Sequence, residues 1–118
     1  MRICQVLVVE DHEDSREMIL DFLSSHGYSV EVAANGQEAL NRLRSGLRPN
    51  LMLLDLTMPV MDGWQLHAEM RKNQAMAGIP VVILSAMDKP TLPPGVKGFL
   101  PKPIELSLLI AFAEHYCT

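Results

Sequence analysis

The sequence predicts an α/β fold, in which a parallel sheet is covered by helices on both faces. Short apolar runs alternate along the chain with segments of helical periodicity. Two of the runs, 51–54 and 81–84, are wholly apolar, which is typical of strands buried on both faces. Strands joined through helices form right-handed crossovers and therefore a parallel sheet. A chain of 118 residues with 48% hydrophobic content suits one core, so we expect a single domain over residues 1–118.

The first strand and the first helix are predicted from an apolar run and the periodic segment that follows it. Residues 3–9 are apolar except for one glutamine, and a helix is expected over 14–25. Asp14 followed by Glu17 resembles a capping box, and Gly27 is suited to end the helix.

The same alternation continues along the rest of the chain. A short strand is expected over 29–33, and the next helix begins at Asn35-Gly36 and ends near Gly46. The remaining predicted elements are strands over 50–55, 80–84 and 98–100, a helix that begins after Met61-Asp62-Gly63, and a final helix over 105–116 that buries Leu106, Leu109, Ile110 and Ala113.

One segment, 87–96, breaks this alternation. A helix is expected there between the fourth and fifth strands, but residues 88–95 include three prolines and a glycine. Proline removes a backbone donor and clashes with the preceding helical turn. The fourth helix is therefore predicted to be shortened or absent.

Composition excludes several classes of protein. The formal net charge of −4 lacks the basic footprint of non-specific nucleic-acid binding, and no apolar stretch approaches the length of a membrane span. We read Cys4 as a small buried hydrophobe and expect no disulfide between it and Cys117, because two cysteines do not suggest a secreted scaffold. The four histidines are interpreted as surface or structural residues. A cytoplasmic protein is expected.

Polar residues collect at the carboxyl ends of the predicted strands, where open parallel sheets bind their ligands. Neighbouring strands would bring these residues into one cleft. Taken singly, each has a simpler explanation as a turn, a cap or an exposed side chain, but together they predict a phosphate-and-metal site. The residues are Glu10, Asp11, Asp55, Thr57, Ser85 and Lys102.

The residue types in this cleft point to phosphoryl chemistry. Three crowded carboxylates require a cation, and oxygen ligands without histidine or cysteine favour Mg²⁺. An ionised aspartate such as Asp55 can attack phosphorus and form an aspartyl phosphate. Lys102 could then neutralise one phosphate oxygen, and the Ser85 hydroxyl could donate to another.

These residues resemble the receiver domain of two-component response regulators, and the resemblance covers nearly the whole chain. The most specific motif is the pattern Asp-x-x-Met-Pro-x-Met-Asp-Gly over 55–63. The other motifs, in the family's order, are Val8-Val9-Glu10-Asp11, Leu84-Ser85-Ala86 and Gly98-Phe99-Leu100-Pro101-Lys102-Pro103.

The resemblance implies a role for each matching residue. Asp55 corresponds to the phosphoacceptor, and Lys102 to the lysine of the family motif. Asp11 corresponds to a direct Mg²⁺ ligand, Glu10 to one that acts through water, and Thr57 to the residue whose backbone carbonyl completes the metal site.

The resemblance also implies a fold and a switch. The fold is a flavodoxin-like, doubly wound sheet of five strands in the order 2-1-3-4-5. Ser85 corresponds to the switch hydroxyl and Phe99 to the switch aromatic, which move when the aspartate is phosphorylated. Segment 87–96 departs from the family, because members usually have a full helix there, and this departure puts the usual output face in doubt.

Three functions remain open at this point. The first is a phosphorelay receiver that is not itself an enzyme, takes its phosphoryl group from a histidine kinase or a histidine phosphotransfer domain, and signals to an unknown downstream protein. The second is a receiver-shaped interaction module that is never phosphorylated. The third, an aspartyl-phosphate phosphatase, is disfavoured because Thr57 stands where such enzymes need a carboxylate. The sequence does not separate a stand-alone regulator from a fragment of a longer protein.

Overall fold

The computed structural model describes residues 4–87 and 91–117. In those residues strands and helices alternate, apart from one extra helical turn before β4 and a helix-free connection before β5. The elements are β1 (Gln5–Val9), α1 (Glu13–Ser25), β2 (Ser29–Ala33), α2 (Gly36–Arg44), β3 (Leu51–Asp55), α3 (Gly63–Arg71), α4 (Gln74–Ala77), β4 (Val81–Ser85), β5 (Gly98–Pro101) and α5 (Leu106–Tyr116).

The five strands form one parallel sheet in the order β2-β1-β3-β4-β5. This confirms the predicted doubly wound α/β fold and its strand order. The order reverses between β1 and β3, because β1 leads outward to β2 whereas β3 leads outward to β4 and β5. The carboxyl ends of β1 and β3 therefore face a crevice at the topological switch point, where such sheets bind ligands.

The core has two layers, one on each face of the sheet. Side chains alternate between the layers along β1: Leu7 and Val9 join one cluster, whereas Val6 and Val8 join the other. The first cluster includes residues of α2 and α3, and the second includes residues of α1 and α5. These four β1 side chains are fully buried, so β1 is a central strand, as its apolar sequence predicts.

Helix boundaries agree with the sequence signals in part. Asn35 caps α2, since its side chain accepts from the backbone N–H of Glu38 at 2.8 Å, and Asp62 forms a capping box with Gln65 at the start of α3. The predicted capping box at Asp14 is wrong. Helix α1 already begins at Glu13, and its N-cap residue makes no side-chain cap bond.

The connection between β4 and β5 contains no helix in its described part, which confirms the prediction from the prolines; residues 88–90 lie outside the described residues. Two side chains of α3 hold this connection instead. Trp64 donates from Nε1 to the carbonyl of Thr91 at 3.1 Å, and Arg71 donates to the carbonyl of Pro94 at 3.0 Å. The short helix α4 lies before β4 and was not predicted.

Two expectations about single side chains are wrong. Leu106 was expected in the core but is 36% exposed at the start of α5. Cys4 is half-buried, and the structure joins it to Cys117 by a disulfide. The sequence could not indicate this pairing, because the two residues lie 113 positions apart. No helix within the described residues has the length and apolar character required to cross a membrane.

Candidate functional site

Asp55 is the last residue of β3, and its side chain is almost buried at 5% exposure. Its Oδ1 accepts the backbone N–H of Thr57 at 3.1 Å. The β3–α3 loop returns close to it: Gly63 donates from its N–H to the carbonyl of Leu56 at 3.0 Å. A Cβ at Gly63 would lie 2.6 Å from the carbonyl oxygen of Asp55. Glycine is therefore required at position 63 to hold Asp55 in this place.

Glu10 and Asp11 follow β1, which is the neighbour of β3 in the sheet. Glu10 is completely buried, and its backbone N–H donates to the carbonyl of Ala33 at 3.0 Å. Asp11 is exposed at the mouth of the cleft. One oxygen from each of Glu10, Asp11 and Asp55 can be chosen so that all three lie within 4.8 Å of one another. The structure thus brings together the three carboxylates that the sequence predicts to meet at this edge of the sheet.

Lys102 reaches the same point from the loop after β5. Its Nζ lies 2.5 Å from Oε1 of Glu10 and 3.2 Å from Oδ2 of Asp55. Its backbone N–H donates to the carbonyl of Ser85 at 2.8 Å, which fixes the loop beside β4. The ammonium group therefore bridges two carboxylates that would otherwise repel each other.

The proximity of these charges and their burial shift two pKa values. Burial raises the pKa of Glu10 to about 8, and neighbouring Asp55 acts in the same direction, while Lys102 opposes the rise. Burial alone would lower the pKa of Lys102, but its hydrogen bond to Glu10 and the charges of Asp55 and Glu10 outweigh burial, so its pKa is raised. Lys102 therefore keeps its charge, and Glu10 binds a proton more readily than an ordinary carboxylate does.

The donor set fits a hard divalent cation. Oε2 of Glu10 is buried and has no hydrogen-bond partner among the described residues. A buried carboxylate oxygen without a partner is costly unless a further ligand satisfies it. Carboxylate oxygens close together are the ligands that Mg²⁺ and Ca²⁺ prefer. The cluster could therefore hold such an ion, with Asp11 and Asp55 able to supply further oxygens.

The two residues expected to form a switch lie at the ends of the neighbouring strands. Ser85, at the end of β4, is buried, and its Oγ accepts the backbone N–H of Met87 at 3.0 Å. Phe99 in β5 is half-buried and packs against the core cluster on the α2 and α3 side of the sheet. Neither side chain makes a hydrogen bond or ion pair to Asp55 in the described residues.

A cavity at this end of the sheet is lined by both expected and unexpected residues. Asp11, Asp55, Thr57 and Lys102 were selected from the sequence. The additional lining residues are His12, Ser15, Ala86 and Met87. They lie within four residues of a predicted site residue along the chain, so the signal that could have found them is their closeness to the carboxyl ends of β1 and β4.

Arg16 is a site-supporting residue that sequence reasoning missed. Its Nη1 donates to the backbone carbonyl of Glu10 at 3.0 Å and approaches that of Asp11 at 3.4 Å. A guanidinium group in the first turn of α1 thus holds the loop that carries both acidic residues. The sequence signal for this role is a basic residue about one helical turn after Asp11. That signal is weak, because most basic residues at such positions are exposed to solvent.

The fold and the cleft together define a receiver-type α/β module with three carboxylates and a lysine in its cleft, and comparison with known proteins places the chain in a family. The family model described as "Response regulator receiver domain" matches residues 6–114. The chain therefore belongs to the response regulator receiver family, the family of two-component signalling.

Individual relatives agree with this membership. Response regulator MprA of Mycolicibacterium vanbaalenii is 37% identical over 112 residues, which are 91% of this chain and 47% of that protein. MprA of Mycobacterium avium is also 37% identical, over 91% of this chain and 48% of its own length. The chain thus spans about half the length of these curated relatives.

Solved structures show the same fold. The chemotaxis response regulator CheY4 of Vibrio cholerae has a TM-score of 0.87 and 28% identity, covering 98% of this chain and 99% of that chain. The receiver domain of a signal transduction histidine kinase from Syntrophus aciditrophicus has a TM-score of 0.86 and 30% identity. The match covers 97% of this chain and 89% of that chain.

Proposed function

We propose that Asp55 accepts a phosphoryl group from a phosphohistidine of a histidine kinase or a histidine phosphotransfer domain. The observation that carries this proposal is the position of the Asp55 carboxylate. It lines the cleft, with the ammonium of Lys102 on one oxygen and the backbone N–H of Thr57 on the other. Family membership supports the same role.

The residues of the cleft divide the work of the transfer. A carboxylate oxygen of Asp55 attacks phosphorus, the new O–P bond forms, and the N–P bond breaks with its electron pair left on the imidazole nitrogen. Lys102 neutralises charge on the transferred group and holds one of its oxygens. Mg²⁺, when bound, would neutralise further charge on the phosphoryl oxygens. We assign Asp11 and Asp55 as its direct carboxylate ligands, Glu10 as a ligand through water, and the carbonyl of Thr57 as a further ligand.

Ser85 and Phe99 form the proposed switch. The Ser85 hydroxyl, whose oxygen now accepts the backbone N–H of Met87, would donate its hydrogen to a new phosphoryl oxygen, because phosphorylation adds strong acceptors nearby. Phe99, which is only half-buried, would then move inward beside it. In this proposal the local change in charge selects between two packings of the β4 and β5 ends.

We assign residues 1–118 to one receiver domain. We place its action in the cytoplasm. In this proposal it accepts a phosphoryl group but does not turn over any other substrate. Its partners are the phosphohistidine donor and a downstream protein. The connection between β4 and β5, held by Trp64 and Arg71 of α3, replaces the surface that a helix between these strands would offer to that protein.

Intact mass spectrometry tests the acceptor. The protein is incubated with acetyl phosphate and Mg²⁺, and a single phosphoryl adduct is expected on the unmutated chain. Asp55→Asn should abolish the adduct, while Asp62→Asn, which alters a helix-capping aspartate nearby, should retain it. Failure of the unmutated protein to gain an adduct would favour the interaction module, and release of phosphate from small esters would favour the phosphatase.

A further inference from the structure

The two cysteines connect the two ends of the fold at the side away from the cleft. Cys4 directly precedes β1, and Cys117 directly follows α5. The structure joins them by a disulfide with a Cα–Cα distance of 5.4 Å, within the range of about 4.4–6.8 Å found for disulfides. Both residues are half-buried, so small reagents can reach the pair.

We propose that Cys4 and Cys117 form a reversible redox modification site, which exchanges with low-molecular-weight disulfides and fastens the end of α5 to the sheet. The pair is held in place from both sides. The carbonyl of Cys4 accepts the backbone N–H of Ser29 at 2.9 Å, which extends the pairing of β1 with β2. On the other side, α5 is fixed by buried Leu109 and Ala113.

Because these anchors do not involve sulfur, the reduced thiols stay within bonding reach of each other. A thiolate of one cysteine attacks a small disulfide, forms a mixed disulfide and releases one small thiol. The second cysteine then displaces the other small thiol, and the protein disulfide forms. The protein thiols lose two electrons and two protons, and the small disulfide gains them, so the exchange balances. An excess of the small thiol reverses both steps.

The pair is remote from the proposed acceptor. Cys4 lies at the amino end of β1, whereas Glu10 lies beyond its carboxyl end, and a five-residue strand spans roughly 17 Å. The redox state should therefore change the anchoring of α5 without changing the chemistry at Asp55. Helix α5 begins four residues after Lys102, so the bond restrains the far end of the helix that leads away from the cleft.

Alkylation after redox equilibration tests this site. The protein is equilibrated with mixtures of reduced and oxidised glutathione, quenched with acid, treated with N-ethylmaleimide and weighed intact. We expect two populations, with either two adducts or none, whose ratio follows the glutathione mixture. Cys4→Ser and Cys117→Ser should each show a single adduct and no intramolecular bond.

Thermal unfolding supplies the second measurement. The oxidised protein should unfold roughly 10 °C above the reduced protein, and neither serine variant should respond to the redox mixture in this way. Two adducts at every mixture, a persistent glutathione adduct, or disulfide-linked dimers in place of the internal bond would overturn the proposal. Equal unfolding temperatures for the two forms would overturn the restraint on α5. Asp55→Asn should behave like the unmutated protein, so this test stands apart from that of the phosphoacceptor.

Discussion

The ammonium of Lys102 lies nearer to Glu10 than to Asp55, at 2.5 Å against 3.2 Å. Glu10 is the more deeply buried of the two carboxylates, and its second oxygen has no hydrogen-bond partner among the described residues. Lys102 thus stabilises the buried acid while it remains within reach of Asp55. A cation or a phosphoryl group that enters the cleft would compete for contacts that this lysine already makes.

Metal binding should depend on pH through Glu10. Burial, and secondarily Asp55, raises the pKa of Glu10 to about 8, so a cation must displace a proton below that pH. Mg²⁺ affinity should therefore rise with pH by up to about tenfold per unit and level off above pH 8. Isothermal titration at several pH values, in buffers of different ionisation enthalpy, measures affinity and proton release together. Glu10→Gln should remove most of the dependence; an unchanged pH profile in that variant would assign the proton to another group.

The same shift predicts how stability without metal depends on pH. The pKa of Glu10 is raised in the folded state from its ordinary 4.5 to about 8, so between these values the folded protein holds a proton that the unfolded chain has released. The stability contribution is fully present below pH 4.5 and is lost as the pH rises through about 8. Urea unfolding across this range measures the loss, and the Glu10→Gln profile should be flatter. Saturating Mg²⁺ should reduce the loss in the unmutated protein; a loss of the same size with Mg²⁺ would show that the ion interacts with Glu10 neither directly nor through water.

Arg16→Gln should lower the affinity for Mg²⁺ strongly while it lowers the unfolding temperature only slightly. The guanidinium holds the carbonyls of Glu10 and Asp11, and loss of groups that orient metal ligands typically costs about 10–100-fold in affinity. Titration calorimetry measures this effect, and the unfolding temperature measures the fold. Arg42→Gln is the matched control, since Arg42 pairs with Glu31 on the surface. Equal affinities for the two variants would contradict a positioning role for Arg16.

Val60→Gly should stabilise the protein. Val60 has a φ of 70° and is 78% exposed, so its β-branched side chain adopts left-handed backbone without gaining burial. That conformation costs about 1–2 kcal/mol per residue when a Cβ is present, and glycine removes the cost, offset in part by its greater freedom in the unfolded chain. Urea unfolding should show a net gain of about 1 kcal/mol. Val60→Ala keeps the Cβ, so its free energy of unfolding should rise by less than that of Val60→Gly. An equal rise would show that the β-branch of valine, and not the Cβ, causes the cost.

Gly63→Ala should destabilise the fold and disturb Asp55. The added Cβ would lie 2.6 Å from the Asp55 carbonyl oxygen and 2.8 Å from the Cα of Leu56, which are backbone atoms that cannot move freely. Overpacking of this kind costs about 1–3 kcal/mol, to be measured by urea unfolding. Gly78→Ala is the control, because nothing lies within 4 Å of a Cβ there and its φ of −84° suits alanine. If both variants unfold alike, the close approach at Gly63 is without consequence.

Local signals accounted for the elements that they specify directly. The apolar run 51–54 marked a buried strand, Asn35 and Asp62 marked helix starts, and the prolines between β4 and β5 excluded a helix in the described part of that connection. The prediction that Asp14 caps α1 was wrong, because the first residue of a helix also depends on where the preceding loop leaves the sheet. The β1–α1 loop brings α1 in at Glu13, one residue earlier.

By itself, the sequence determined the alternation of strands and helices, the parallel sheet, and the residues that gather at its carboxyl edge. These follow from periods of two and 3.6 residues and from single residue types, which act over a few positions of the chain. Only the tertiary structure decided that Lys102 bonds to Glu10, 92 positions away, that Arg16 holds the acidic loop, and that Cys4 meets Cys117. Such pairings depend on how the strands are ordered and how far each loop reaches, and no local pattern encodes those distances.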